Sequence, residues 1–135
     1  MPKHVMVVLS NTKPELEDEF NDWYSNAHIV EVINRLDGFA SAQRFSFVPD
    51  QLEDGEYKYL AIYEIEDDKL EAAQKAQAAQ RRERKEALAA GREPFIESRA
   101  GELFDGEHRS WFFTAVDEPY RKGDRPDPRG DAGLT

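Results

Sequence analysis

The hydrophobic rhythm of this chain changes several times, and the order of the changes restricts the fold more than any other feature. His4-Val5-Met6-Val7-Val8-Leu9 is short, apolar and β-branched, which predicts a buried strand. Ser10-Asn11-Thr12 then offers helix N-cap chemistry, and Pro14 suits a first helical turn, where a missing N–H costs nothing. Glu15, Glu17, Asp18 and Glu19 oppose the positive end of a helix dipole, and Asp37-Gly38 marks the end of a helix running to about Arg35. Phe39 to Val48 and Tyr57 to Ile65 alternate as strands around a turn rich in Pro, Asp and Gly. A second helix is predicted from about Asp67-Asp68 to Ala90, with Gly91 as its C-terminal cap. An aromatic strand, Arg109 to Val116, closes the series.

The order is therefore β-α-β-β-α-β. It implies an α+β, ferredoxin-like fold: a four-stranded antiparallel sheet with two helices on one face. Residues 1–116 form the expected domain, and 117–135, rich in Pro, Gly, Arg and Asp, an extended or mobile tail. Both parities of the first and last strands are apolar: Val5, Val7 and Leu9 oppose Met6 and Val8, while Trp111 and Phe113 oppose Phe112. Helices cover one face only. The other is expected to pair with a second copy of the chain as a homodimer.

Composition removes several function classes. One domain is expected for 135 residues, and the absence of cysteine excludes disulfides, thiolate metal sites and cysteine nucleophiles. With 28 acids against 18 bases the formal charge is −10, the reverse of a nucleic-acid-binding footprint. The longest apolar run, Val5 to Leu9, is too short to span a membrane or to serve as a signal core, so a soluble cytoplasmic protein is expected. No Gly-rich phosphate loop, nucleophile elbow or paired histidines at metal spacing occurs, and no metal or cofactor is expected.

The first helix holds the densest chemistry. At 100° per residue, Leu16, Phe20, Trp23, Ala27 and Val30 make one stripe expected to face the sheet. Tyr24, His28 and Glu31 lie together on its flank. A phenol, an imidazole and a carboxylate there suit proton transfer, with Glu31 orienting one ring nitrogen of His28 and the other exchanging a proton near neutral pH. The plainer alternative is a histidine at the core edge that hydrogen-bonds Tyr24 or a backbone carbonyl. Trp23 packs in the core or borders a ligand pocket, and Tyr63 and Trp111 could line the same pocket. His4 either approaches that cavity or lies at the dimer face or the wet end of its strand. Arg44 either anchors an anion or pairs with Glu64 across the hairpin. His108 is expected in solvent, and the Arg81 to Glu86 run as a solvated helix face.

The segment Asp22-Trp23-Tyr24-x-x-x-His28-x-x-Glu31, followed by Asp37-Gly38-Phe39 and Ala42-Gln43-Arg44-Phe45, resembles the EthD-like branch of the dimeric α/β-barrel superfamily. The resemblance spans residues 4 to 116, with Asp37 where many relatives have proline. It implies ferredoxin-like protomers whose sheets pair into a barrel, and it singles out His28. The superfamily includes cofactor-free monooxygenases, polyketide cyclases, muconolactone isomerases and peroxidases. Its plant polyketide cyclases have a histidine matching His4. Their second histidine has no counterpart here, where the chain reads Gly91-Arg92-Glu93-Pro94-Phe95. The expected function is a cofactor-independent isomerase, cyclase or lyase acting by proton transfer on a hydrophobic aromatic or polyketide-like molecule. A non-catalytic small-molecule-binding protein and a monooxygenase of phenols are the alternatives.

Overall fold

A computed structural model describes residues 3–130. Four strands, β1 (His4–Ser10), β2 (Phe39–Ser46), β3 (Tyr59–Ile65) and β4 (Arg109–Thr114), form one antiparallel sheet in the order β2-β3-β1-β4. Between β1 and β2 run a 3₁₀ turn (Pro14–Leu16), helix α1 (Glu17–Trp23), a π-helical turn (Tyr24–His28) and helix α2 (Ile29–Arg35). Helix α3 (Leu70–Ala90) crosses back between β3 and β4, followed by the short α4 (Ala100–Leu103). This is the expected ferredoxin-like arrangement. No helix among the described residues is long and apolar enough to cross a membrane.

The core lies between the sheet and the helices. Met6, Val8, Phe39, Tyr59, Ala61, Tyr63 and Ile65 rise from the sheet to meet Phe20, Trp23, Tyr24, Val32 and Ala73. Gly91 ends α3 in the left-handed conformation (φ 72°), as the sequence predicts, its N–H returned to the carbonyls of Ala87 and Leu88. Gly38 has a different reason to be glycine. Its φ is 94°, and a Cβ there would stand 2.8 Å from the Ala73 backbone nitrogen, so β2 starts where it touches α3.

Three details differ from the sequence reading. Thr12 does not cap a helix; its hydroxyl donates to the Leu103 carbonyl at 2.7 Å and holds α4 against the end of β1. Asn11 instead bonds the Glu56 carbonyl and the Lys58 N–H, closing the β2–β3 loop. The four-residue α4 turn is too short to show a period in the sequence. Beyond Thr114 the chain to residue 130 forms neither helix nor strand, and residues 1–2 and 131–135 of the expected domain and tail lie outside the described residues.

The uncovered sheet face carries Val5, Val7 and Leu9 between Leu60 and Ile62 on one side and Trp111 and Phe113 on the other. Trp111 is 48% exposed, Phe113 54% and Phe45 42%. Gly38→Ala should lower stability by ~2 kcal/mol or more, because it adds left-handed strain to a steric clash. A urea titration of the variant checks this, with Gly91→Ala, whose added methyl meets open space, as the milder control.

Candidate functional site

The site begins with the π turn. In an unbroken α-helix the inward positions after Phe20 and Trp23 would be Ala27 and Val30. Instead the Ile29 N–H bonds the Tyr24 carbonyl five residues back, inserting one residue into the turn. The inward line becomes Trp23, His28, Val32 and Leu36, all of which border one cavity. Val30 is turned out and is 46% exposed. The same rephasing stacks the His28 ring on Trp23, with centroids 4.8 Å apart and planes 29° apart, and sets it edge-on to Tyr24 at 5.0 Å.

The cavity lies between the sheet and α3. Measured as space open to the centre of a water molecule it holds about 70 Å³, room for roughly five waters. Met6, Val8, Tyr63 and Ser110 form its floor, and Phe104 and His108 close one end. The α3 wall is Gln77, Gln80, Arg81 and Arg84. Gln77 and Arg81 both donate to the Ser110 hydroxyl, at 3.2 and 2.8 Å.

Two polar atoms of wall residues, Trp23 Nε1 and His28 Nδ1, are buried with no hydrogen-bond partner. Each such orphan costs about 1–3 kcal/mol. Burial pushes the His28 pKa down to about 4, helped by the charges of Arg84, His108 and Arg44, so the ring is neutral at pH 7. The Tyr24 and Tyr63 phenols neighbour each other, and burial holds both above the ordinary tyrosine range; they are neutral donors.

The structure thus brings His28, Tyr24, Trp23 and Tyr63 together. The other expected site residues lie elsewhere. Glu31 is turned away by the π turn: its carboxylate pairs with Arg35 at 2.9 Å and accepts the Glu97 N–H, leaving His28 Nδ1 unbound. Arg44 neither borders the cavity nor pairs with Glu64, which lies on the opposite sheet face and binds Lys3 at 2.9 Å. Its guanidinium lies 4.5 Å from the Tyr24 ring and donates to Ser25 and Asn21, bracing the widened turn from behind. Trp111 pairs with Val7 on the uncovered face, so the sheet separates it from the cavity. His4 shares the parity of Met6 and Val8 but stands at the strand end, where its Nδ1 meets the Thr114 hydroxyl at 2.8 Å.

One expectation of solvent exposure fails, and a second holds only in part. His108 is partly buried edge-on to Phe104 at 5.5 Å, because α4 folds Phe104 beneath it. Arg81 and Arg84 border the cavity instead of forming only a solvated face. A signal for the latter exists in the sequence. Ala73, Gln77, Gln80, Arg84 and Ala87 recur at four, three, four and three residues, a single helical stripe. Its two alanines are fully buried, so the polar residues between them must also look inward. Among the described residues no set of three or more His, Cys, Asp or Glu side chains is placed to hold a metal ion.

The His28 imidazole should titrate by NMR near pH 4, and a midpoint near the ordinary 6.5 would contradict its burial. Between those values the unfolded chain binds a proton that the folded chain refuses. The His28 contribution is thus at its best above pH 6.5, falls as pH drops toward 4 and is level below. The loss is at most about 3.5 kcal/mol. Denaturation of wild type and His28→Gln from pH 4 to 7 should show that part of the slope only in the wild type.

Residues 4–92 match the family described as Domain of unknown function (DUF4286). Among solved structures, a protein of unknown function from Nitrosomonas europaea superposes with a TM-score of 0.53 and 17% identity, over 91% of this chain and 98% of that one. An EthD family protein from Bacillus halodurans gives a TM-score of 0.46 and 14% identity, over 87% of this chain and 100% of its own. The first of these likenesses is one of fold. No curated protein is similar enough to count as a match. With its match covering well over half of the sequence, the chain belongs to the DUF4286 family.

Proposed function

We propose that this protein is a small homodimeric enzyme that needs no bound cofactor and moves a proton on a hydrophobic, ring-bearing small molecule. The observation that carries the reading is a largely buried, neutral imidazole that lines a cavity together with two phenols. His28 takes or returns the proton, and Tyr24 and Tyr63 donate hydrogen bonds to an oxygen as it gains negative charge. Trp23 supplies a flat apolar wall. The reaction class is an isomerisation, cyclisation or lyase step of the kind that begins by removing a proton next to a carbonyl.

The second reading is a binding protein without catalysis. One observation favours it: a base with a pKa of about 4 is weaker than ideal for proton abstraction near neutrality. Incubation with aromatic and polyketide-like ketones in D₂O separates the two. The wild type should incorporate deuterium next to the carbonyl of at least one of them. His28→Gln should lose that exchange by about 10²-fold or more while keeping its fold. Equal exchange by the folded variant removes His28 from the chemistry, and saturable binding without exchange by the wild type favours the binding protein.

The homodimer part of the proposal rests on the uncovered aromatic face. Sedimentation should show two-chain particles for the wild type. Trp111→Glu should give single chains, since a buried unpaired carboxylate opposes the pairing.

A further inference from the structure

The inward stripe of α3 is unusual in chemistry. At its two ends Ala73 and Ala87 are fully buried, and between them it turns Gln77, Gln80 and Arg84 toward the cavity. Arg84 is half-buried, yet its guanidinium has no ion pair or hydrogen bond among the described residues. Arg82 on the same helix is also without a partner among the described residues, but it is exposed and does not border the cavity, while Arg35 is engaged with Glu31, Arg44 with Asn21 and Ser25, Arg81 with Ser110, Arg92 with Glu83, and Arg99 with Glu19 and Glu102. A half-buried guanidinium with no partner carries a desolvation cost that an anion entering the cavity would offset. One acid, Glu97, borders the same space; it is exposed, and its N–H is held by Glu31. The same cavity carries apolar side chains, Trp23, Val32, Leu36 and Phe104, and the rings of His28 and His108, both of which feel the Arg84 charge.

We infer that the cavity takes an aromatic or similarly apolar acid whose single carboxylate docks on Arg84, its body lying against Trp23, Val32, Leu36 and Phe104. This rests on the cavity being the small-molecule site proposed above, and it names the substrate class. A planar guanidinium matches a carboxylate through two parallel hydrogen bonds, and partial burial strengthens them. A monoanion fits better than a phosphate ester, because of the two arginines lining the cavity only Arg84 is unengaged among the described residues, while Arg81 is exposed and already bonds Ser110. A neutral amide of the same shape leaves Arg84 unpaired, which is the source of discrimination.

The test is calorimetry on the full chain with benzoate, phenylacetate and cinnamate, the amide of each, and phenyl phosphate. At least one acid should bind saturably and at least tenfold more tightly than its amide. Arg84→Gln should bring that ratio to about one while leaving amide binding within twofold, and Arg84→Lys should keep part of it. The inference is overturned if no acid is preferred, if the preference survives in Arg84→Gln, or if phenyl phosphate outcompetes every acid. The two proposals fail separately. Acid preference in a protein that exchanges no deuterium leaves the carboxylate site standing and removes the enzyme. Deuterium exchange on neutral ketones with no acid preference does the reverse.

Discussion

A helix that spends one extra residue in a single turn changes the phase of everything after it, and the turn from Tyr24 to His28 does this here. Without the insertion, Trp23 would be followed inward by Ala27 and Val30, and the sheet-facing stripe would be uniformly apolar. With it, an imidazole takes the inward place and stacks on the indole. The carboxylate three residues later rotates outward to meet Arg35. Arg44 supports the widened turn from the strand side through Asn21, Ser25 and the Tyr24 ring. A residue that reads as a ligand-binding cation is thus part of the frame that keeps the helix in its unusual phase.

The second helix answers the first. Small residues at both ends of its inward stripe let it sit close to the fold, Ala73 so close that Gly38 has no room for a side chain. Longer polar side chains in the middle hold it off and leave the hollow. The result is a cavity with an apolar floor, two neutral phenols, a neutral imidazole and a cationic rim, inside a molecule whose net charge is −10. Burial sets the protonation of these groups: the imidazole and both phenols stay uncharged because charge is costly to desolvate. Trp23 Nε1 and His28 Nδ1 are closed off from the cavity without a hydrogen-bond partner, a desolvation cost that the packing around them offsets.

Strand and helix order was legible because each element repeats its period over six or more residues. The first helix, the hairpin, the glycine that ends α3 and the two-faced apolar sheet all follow from local patterns. Two of the candidate residues that reach the cavity, Tyr24 and His28, are legible for the same reason: they stand out as proton-active groups beside an apolar stripe. Glu31 was misplaced because 100° spacing assumes an uninterrupted α-helix, and nothing in Tyr24-Ser25-Asn26-Ala27-His28 announces an extra residue. Trp111 was misplaced because alternation tells which residues share a face but not which face meets the helices.

By itself the sequence determined the order of elements, the presence of two apolar sheet faces and the concentration of ionisable rings on one helix, since these depend on short-range periodicity and composition. Only the tertiary structure decided which of those rings meet. The phase of the first helix is set by an i→i+5 bond, and the partnership of α3 with β4 and α4 joins residues far apart in the chain. His108, Arg84 and His28 come to one cavity because packing brings three separate elements together, and a one-dimensional pattern carries no information about distances of that kind.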